Sequence, residues 1–173
     1  MVPALFYEFA VPDDKELDSF DSGEQEVDDY FINREWFKGG RASPPTYVFR
    51  TEDGGQVVGY AAVSFCNVIP PNSQSMVKAK YLTIFVCGVN KQFQGKRNPR
   101  SPQENFAASI FAILEDFAAK KASCEGLKLW VRTSNSRAIR FYEKFGFFQD
   151  TSGPVQEAKE GSPHLTMWKP LGS

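Results

Sequence analysis

The sequence contains little of what metal sites and membrane anchors require. It has one histidine, and its three cysteines have no spacing that suits a zinc site. Cys66, Cys87 and Cys124 are an odd number in apolar surroundings, which indicates free thiols in a reducing cytosol. No apolar run is long enough to span a bilayer, and the first residues lack the basic patch of a signal peptide. We therefore expect a cytoplasmic protein with no metal and no membrane association.

An excess of positive charge is also missing. The formal net charge is −1, which excludes an overall basic surface for nucleic acid, although a local basic patch stays open. Apolar residues are plentiful instead: 42% of the 173 residues are hydrophobic and 14% are aromatic, with 16 phenylalanines. This composition favours one well-packed globule. We expect a single domain over residues 1–173.

Local patterns in the first half predict a strand, a helix and a hairpin. The apolar run at 4–11 is typical of a strand. Ser22 and Gln25 form a capping-box pattern, so we expect one helix to begin there and to close at residues 39–40. Two runs rich in β-forming residues flank Glu-Asp-Gly-Gly at 52–55, which predicts a hairpin. The helix would place four apolar residues near one face: Val27, Tyr30, Phe31 and Phe37.

The second half alternates strands and helices. Residues 81–89 are apolar on both faces and predict a central strand. Ser101 as a cap, followed by Pro102 and Glu104, predicts the start of the longest helix. A strand at 127–131, a short helix and a strand at 164–169 complete the order. The whole predicts an α/β fold with a mixed sheet.

Residues 135–147 read Asn-Ser-Arg-Ala-Ile-Arg-Phe-Tyr-Glu-Lys-Phe-Gly-Phe. They resemble the closing motif N-x-x-A-x-x-F/L-Y-x-K-x-G-F of the GNAT superfamily of N-acetyltransferases. The resemblance implies a GNAT fold with a splayed central strand pair, and transfer of an acetyl group from acetyl-CoA to a primary amine by direct attack. It implies that Tyr142 is the general acid, and that Asn135, Ala138 and Phe141 contact the cofactor. From the residues alone, Tyr142 also suits a core-facing stripe and Asn135 a helix cap.

GNAT enzymes hold the pyrophosphate of acetyl-CoA with a loop that reads Q/R-x-x-G-x-G/A, and the stretch at 90–96 resembles the family's D-P-x-Y-Q-G-K entry to that loop. Past Lys96 the match fails, because Arg97 and Pro99 stand where small residues usually sit. The loop either still binds phosphate through its amides and cations, or serves another use. The resemblance also aligns part of the central strand with the backbone that pairs with pantetheine. The implied cofactor-binding residues here are Cys87, Gly88, Val89, Gln94, Gly95, Lys96, Arg97 and Asn98.

A general base is not visible. The strand at 81–89 has no carboxylate, so the base comes from elsewhere, such as Glu8 or Asp29, or the amine arrives neutral. An α-amine, with a pKa near 8, offers a useful neutral fraction at neutral pH, whereas a lysine amine does not. The sequence therefore favours an α-amine, or another acceptor whose amine has a low pKa.

Two rival functions stay open. Residues 20–31 resemble the opening of GNAT toxins that acetylate the α-amine of aminoacyl-tRNA, which implies tRNA and an antitoxin as partners. An acidic run at 13–29 opposes a tRNA surface, because phosphate contacts need cations. The third function is non-catalytic binding of an acyl-CoA or a protein.

Many relatives are dimers, which leaves a homodimer open. Cations that could form a patch are Lys38, Arg41, Lys78, Lys80, Lys91, Lys96, Arg97 and Arg100, and candidate pocket aromatics are Tyr30, Trp36, Phe37 and Phe65.

Overall fold

The structure is a computed structural model that describes residues 5–53, 55–71, 76–98, 101–150, 155–156 and 163–172. For residues 98, 101–104, 122 and 155–156 it describes the backbone only. Predictions that concerned Pro99 and Arg100 therefore lie outside the described residues, as do the side chains of Asn98, Ser101, Pro102 and Glu104.

Strands and helices follow the mixed order that the sequence predicts. The strands are β1 (Leu5–Phe9), β2 (Thr46–Thr51), β3 (Val57–Val68), β4 (Ala79–Val89), β5 (Arg97–Asn98), β6 (Ser101–Asn105), β7 (Gly126–Arg132), β8 (Phe148–Gln149), β9 (Val155–Gln156) and β10 (Pro163–Pro170). The helices are α1 (Gln25–Ile32), α2 (Glu35–Lys38), α3 (Phe106–Ala122) and α4 (Ser136–Phe145). Short 3₁₀ turns lie at Lys15–Ser19, Gly40–Ala42 and Lys91–Phe93.

The main sheet has the strand order β1-β2-β3-β4-β7-β10-β8, and β9 pairs with β10. Pairing is antiparallel between β1 and β2, β2 and β3, and β7 and β10, whereas β4 runs parallel to β7. The parallel register runs from Tyr81 opposite Gly126 to Ile84 opposite Leu129. The predicted mixed α/β fold is confirmed. The splaying of β4 from β7 stays a prediction.

The chain divides into two compact units. Unit 1 comprises Met1–Ser64 and Phe85–Leu114, and unit 2 comprises Phe65–Ile84 and Glu115–Ser173. The sequence expectation of one domain over residues 1–173 stays a prediction. Among the described residues, no helix combines the length and the apolar character needed to cross a bilayer.

The core of unit 1 is built around an aromatic stack. Tyr60 of β3 lies parallel to Phe31 of α1, with ring centroids 4.1 Å apart and the planes 5° from parallel. Phe20 meets the Tyr60 ring edge-on at 5.4 Å. The Trp36 indole donates to the Phe31 carbonyl at 3.2 Å, so this buried N–H is satisfied. Burial of these rings holds α1 and α2 on the sheet.

Unit 2 contains buried leucines and aromatic rings over which lysine ammonium groups lie. Leu127 and Leu129 of β7 are fully buried. On the neighbouring register positions, the Lys128 ammonium lies 4.8 Å from the Trp130 ring centroid and 5.1 Å from that of Trp168. Burial lowers the pKa of Lys128. Lys169 bridges Glu115 of α3 and the Phe145 ring of α4, 4.1 Å away.

The expected single helix between residues 22 and 40 is wrong. Helix α1 ends at Ile32, and α2 begins at Glu35, after Arg34 adopts a left-handed conformation with φ +57°. The Arg34 side chain stabilises this break, since it donates to carbonyls of Pro12, Asp14 and Ile32 at 2.5–2.9 Å. Phe37 consequently leaves the apolar face and is 58% exposed.

The predicted start of the longest helix is also wrong. Helix α3 begins at Phe106, because the Asn105 side chain caps it by accepting from the Ala108 amide at 2.8 Å. Residues 101–105 instead form β6, which pairs antiparallel with β5. Two polar cap signals compete over this stretch, and the one directly before the apolar stripe marks the helix start.

Candidate active site

The predicted cofactor loop lies in unit 1, between β4 and β5, as one tight 3₁₀ turn and its flanks. The Asn90 amide donates to the Val58 carbonyl at 2.7 Å and the Lys91 amide to the Asp21 carbonyl at 2.8 Å. Phe93 is buried and meets Phe106 edge-on at 5.0 Å. The loop is therefore anchored in the protein by an apolar side chain, while its charged residues Lys91, Lys96 and Arg97 are exposed.

Gln94 has a different position from the one expected of a phosphate ligand. Its side-chain amide donates to the Ser22 carbonyl at 2.7 Å and to the Val89 carbonyl at 2.8 Å. Two neutral hydrogen bonds inside the protein brace the loop between the end of β4 and the segment before α1. A direct cofactor contact of Gln94 stays a prediction.

Gly95 and Lys96 have the features that a phosphate ligand requires. Gly95 has φ +70°, and a side chain added there would meet nothing within 4 Å, so the backbone lies open. No hydrogen bond from the Gly95 amide is found among the described residues. Lys96 and Arg97 are exposed. An open amide beside two cations fits a pyrophosphate.

The start of α3 contributes less than an uncapped helix would. Its first amide, that of Phe106, donates to the Lys96 carbonyl at 3.2 Å, and the Ala108 amide donates to Asn105. These bonds use two donors that a helix terminus otherwise offers to an anion. Arg97 is the register partner of Asn105 across the β5–β6 ladder, so its backbone lies beside the residue that caps the helix.

The predicted pantetheine residues lie on the last part of β4. Cys87, Gly88 and Val89 are each half-buried. Gly88 is required by packing, since an added Cβ would lie 2.5 Å from the Val27 Cγ1 atom of α1. The Val89 carbonyl already accepts from Gln94. The carbonyl has a second lone pair, so this bond does not use its full accepting capacity.

The second group of predicted site residues lies in unit 2, on α4. Asn135 caps this helix, because its side-chain oxygen accepts from the Ala138 amide at 3.2 Å. Gly146 ends the helix with φ +109°. The predicted short helix is confirmed. The cap is the interpretation of Asn135 that the residues alone offered, and its cofactor contact stays a prediction.

Tyr142 is packed between aromatic rings on α4. Phe141 meets it edge-on at 5.6 Å, Phe147 lies at 5.7 Å, and Tyr142 is 9% exposed. The Phe147 amide donates to the Tyr142 carbonyl at 2.9 Å, which fixes the backbone beyond the helix. The ring therefore has a core-like setting, and its role as an acid stays a prediction.

The two candidate bases are held by other polar groups. The Glu8 carboxylate accepts from the Arg50 guanidinium at 3.1 Å, and the Asp29 carboxylate accepts from the Gln25 side chain at 2.9 Å. Neither lies on β4. Among the described residues, no group of His, Cys, Asp and Glu side chains is arranged to hold a metal ion.

Comparison with known families places these observations in context. The model of the acetyltransferase (GNAT) family matches residues 9–147, which is well over half of the chain. The chain belongs to the GNAT acetyltransferase family. The matched region includes the loop after β4 and the whole of α4.

Solved structures that resemble this GNAT protein include toxins and an antibiotic acetyltransferase. A tyrosine-to-phenylalanine mutant of the AtaT toxin, bound to the C-terminus of the antitoxin AtaR and acetyl-CoA, has TM-score 0.61 and 17% identity over 96% of this chain and 93% of that chain. AtaT complexed with acetyl-methionyl-tRNAfMet has TM-score 0.61 and 18% identity over 96% and 94%. Nourseothricin acetyltransferase has TM-score 0.61 and 16% identity over 98% and 99%. At these identities the likeness shows the fold alone. The comparison with curated proteins gives no match.

Two charged side chains of this GNAT protein carry structural roles that the sequence did not signal. Arg50 is 7% exposed, and its guanidinium meets the carboxylates of Glu8, Asp14 and Glu16 as well as the Gly55 carbonyl. Arg34 ties Asp18 to the α1–α2 break at 2.8 Å. A single cation surrounded by acceptors from distant segments has no local sequence pattern.

Two of the four predicted pocket aromatics of this GNAT protein pack in the core of unit 1. Trp36 is buried in unit 1, and Tyr30 lies parallel to Tyr60 at 6.4 Å. In unit 2, Phe65 stacks on Phe117 at 5.7 Å while the Lys80 ammonium lies 5.0 Å from its ring centroid. Only Phe37 and Phe65 of the four are counted among the exposed large hydrophobic residues that the structure describes.

Proposed function

We propose that this GNAT protein transfers an acetyl group from acetyl-CoA to a primary amine by direct attack, with Tyr142 as the general acid. The observation that carries the proposal is the family match over residues 9–147, which spans both the loop after β4 and helix α4. The acetyl-CoA in the related AtaT complex supports the choice of donor.

The loop after β4 would hold the phosphates of the donor. The open Gly95 amide and the exposed cations Lys96 and Arg97 supply donors and charge, and Asn98 follows them in β5. The backbone of Cys87, Gly88 and Val89 would pair with the amide groups of pantetheine. In this proposal, the cations after Gly95 compensate for the phosphate binding that small residues allow in the loops of other family members.

Acetyl-CoA supplies an acetyl carbon activated as a thioester. The amine nitrogen forms a bond to this carbon, the carbon–sulfur bond breaks, and the sulfur leaves as a thiolate that needs a proton. Tyr142 would donate that proton, because a phenol of ordinary acidity is protonated at neutral pH. Phe141 and Ala138 would line the donor from the same helix, with Asn135 holding the helix start.

The acceptor amine must lose a proton. Strand β4 carries no carboxylate, while Glu8 and Asp29 are engaged with Arg50 and Gln25. We therefore assign no side chain as the base and propose an acceptor whose amine is partly neutral at neutral pH, such as an α-amine.

The experiment that tests this function is thiol release from acetyl-CoA with a panel of amines, including amino acid amides and lysine derivatives. We expect release that depends on an α-amine and follows its neutral fraction as the pH changes. Binding of acetyl-CoA without release across the panel would favour the non-catalytic alternative. A preference for lysine side chains would contradict the assignment of the acceptor.

A second candidate acceptor is the α-amine of aminoacyl-tRNA. AtaT in complex with acetyl-methionyl-tRNAfMet has the same fold, and residues 20–31 resemble the opening of such toxins. Unit 1 exposes Lys38, Arg41, Lys91, Lys96 and Arg97, which could contact phosphates. Acetylated aminoacyl-tRNA after incubation with acetyl-CoA, and growth arrest on expression that an antitoxin relieves, would support this acceptor. An unmodified pool of charged tRNA would exclude it.

A further inference from the structure

Gln94 stands at the junction of the loop after β4 and the segment that leads into α1. Both hydrogens of its side-chain amide have acceptors in the protein, the Val89 carbonyl at 2.8 Å and the Ser22 carbonyl at 2.7 Å. The side chain thus ties the end of a strand to a segment 72 residues away in sequence. The amide of this motif residue is directed into the protein.

Ser22 continues the connection on its other side. Its backbone amide donates to the Asp28 carboxylate at 2.8 Å, and its hydroxyl donates to the same oxygen at 2.7 Å. Ser22 is buried and Asp28 is half-buried, so these bonds are partly shielded from water, and bonds to a charged acceptor are the stronger kind. Asp28 lies in the first turn of α1. A continuous path of hydrogen bonds therefore runs from Gln94 through Ser22 to α1.

Helix α1 is in turn fixed to the sheet. The Tyr60 hydroxyl of β3 donates to the Val27 carbonyl at 2.6 Å. The Val27 side chain lies over Gly88 of β4, where no Cβ could be accommodated. Movement of residues 22–28 would break these contacts together, so the segment and the helix behave as one piece.

A parallel contact beside this path contributes less. Lys91 also reaches the segment, through its amide to the Asp21 carbonyl and through an ion pair with the Asp21 carboxylate at 3.4 Å. Both partners of the ion pair are more than half exposed, and exposed pairs contribute little. Gln94 joins the loop to the segment before α1 through two partly buried bonds.

We propose that Gln94 is a positioning residue that couples donor binding at the loop to the order of α1 through Ser22 and Asp28. This inference rests on the proposed function, because it requires acetyl-CoA to bind the loop. Binding fixes the loop, the fixed Gln94 amide holds Ser22, and Ser22 holds the start of α1. Occupied and empty loops then differ in the stability of residues 22–28, which is a coupling free energy between two places.

Amide hydrogen exchange of the full chain, with and without acetyl-CoA, tests this coupling. In the unsubstituted protein we expect acetyl-CoA to slow exchange of residues 22–28 by about tenfold, within the usual range of coupling between sites. In Gln94→Leu, which removes both donors, we expect acetyl-CoA still to bind while the slowing at 22–28 is lost. Gln94→Arg retains donors toward the two carbonyls and should restore part of the effect.

Two further variants separate coupling from loss of structure. Ser22→Ala removes one bond to Asp28 and leaves Gln94 intact, so it should reduce the slowing without abolishing donor binding. Lys91→Met removes the exposed ion pair and should leave the slowing unchanged. A merely structural role for Gln94 would raise exchange at 22–28 equally with and without acetyl-CoA.

The results of this experiment distinguish failure of the coupling from failure of the proposed function. Acetyl-CoA that binds but leaves exchange at 22–28 unaltered overturns the coupling alone, as does full slowing in both Gln94→Leu and Ser22→Ala. Acetyl-CoA that does not bind the unsubstituted protein contradicts the proposed function and the coupling with it.

Discussion

The loop after β4 and helix α4 are the two segments to which the proposed function assigns work, and they are built from opposite materials. The loop is polar, and backbone carbonyls of Ser22 and Val89 hold it through the Gln94 side chain. Helix α4 is aromatic, with Tyr142 packed against Phe141 and Phe147. The loop exposes an amide and cations, whereas Tyr142 on α4 is 9% exposed.

This contrast fits the proposed function, which assigns phosphate binding to the loop and proton transfer to α4. Phosphate groups are recognised by cations and amides that water can reach, so an exposed loop serves them. Donation of a proton to sulfur profits from a group that rings hold in one place and that little water surrounds. Substitutions in the two segments should therefore separate affinity from turnover.

Replacement of Tyr142 sharpens the contrast most. Tyr142→Phe keeps the ring between Phe141 and Phe147 and removes only the hydroxyl, so we expect kcat to fall by about 100-fold or more while the Kd for acetyl-CoA changes little. Thiol release and calorimetry measure the two quantities. Phe147→Leu, which alters the packing around Tyr142 but removes no hydroxyl, is the matched control. Turnover near that of the unsubstituted protein would remove Tyr142 from the mechanism.

Replacement of Lys96 is the counterpart in the loop. Lys96→Ala removes an exposed cation next to the open Gly95 amide, and we expect the Kd for acetyl-CoA to rise by about tenfold, with a smaller change in kcat. Lys38→Ala removes an exposed cation elsewhere in unit 1 and should leave the Kd unchanged. Equal effects of the two variants would mean that the loop offers only general charge.

Replacement of the helix caps should have a smaller effect, on stability. It tests whether α3 and α4 begin where the structure places them. Asn105→Ala at α3 and Asn135→Ala at α4 each remove one side-chain acceptor of an amide. We expect each to lower the free energy of unfolding by about 1 kcal/mol, measured by urea denaturation. Asn105→Ser and Asn135→Ser should restore most of the loss. An Asn105→Ala variant of unchanged stability would argue against the α3 start at Phe106.

The smallest effect concerns the cation that lies over two rings in unit 2. Burial lowers the pKa of Lys128, so the unfolded chain holds this proton to higher pH than the folded chain does. Its contribution to stability therefore rises as the pH rises through the lowered pKa toward the ordinary value near 10.5. Lys128→Met should remove this rise from the difference in unfolding midpoints between pH 7 and pH 10. A difference that persists would place its origin in another group.

Sequence reasoning succeeded where the deciding signals were local. Asn135 and Gly146 begin and end α4 through hydrogen bonds to nearby residues. The thirteen residues 135–147 were therefore sufficient to predict this helix. The hairpin of β2 and β3 follows equally from the glycines of its turn, with Gly55 at φ +64°.

Local signals failed where distant partners decided. The break at Arg34 depends on carbonyls of Pro12 and Asp14, about twenty residues away, and no pattern in the helix announces them. At the start of α3, Ser101 satisfied the cap pattern, but residues 101–105 pair with β5 and Asn105 caps the helix. Gln94 matched a family position, yet its partner Ser22 could be known only from the fold.

Calorimetric titration of acetyl-CoA into the unsubstituted protein tests the central claim most directly, because every assigned role assumes that the donor binds. We expect saturable binding of one acetyl-CoA per chain. Lys96→Ala and rising salt should weaken this binding, and Tyr142→Phe should leave it unaffected. An absence of binding heat up to millimolar acetyl-CoA, confirmed by unchanged thermal stability at that concentration, would contradict it.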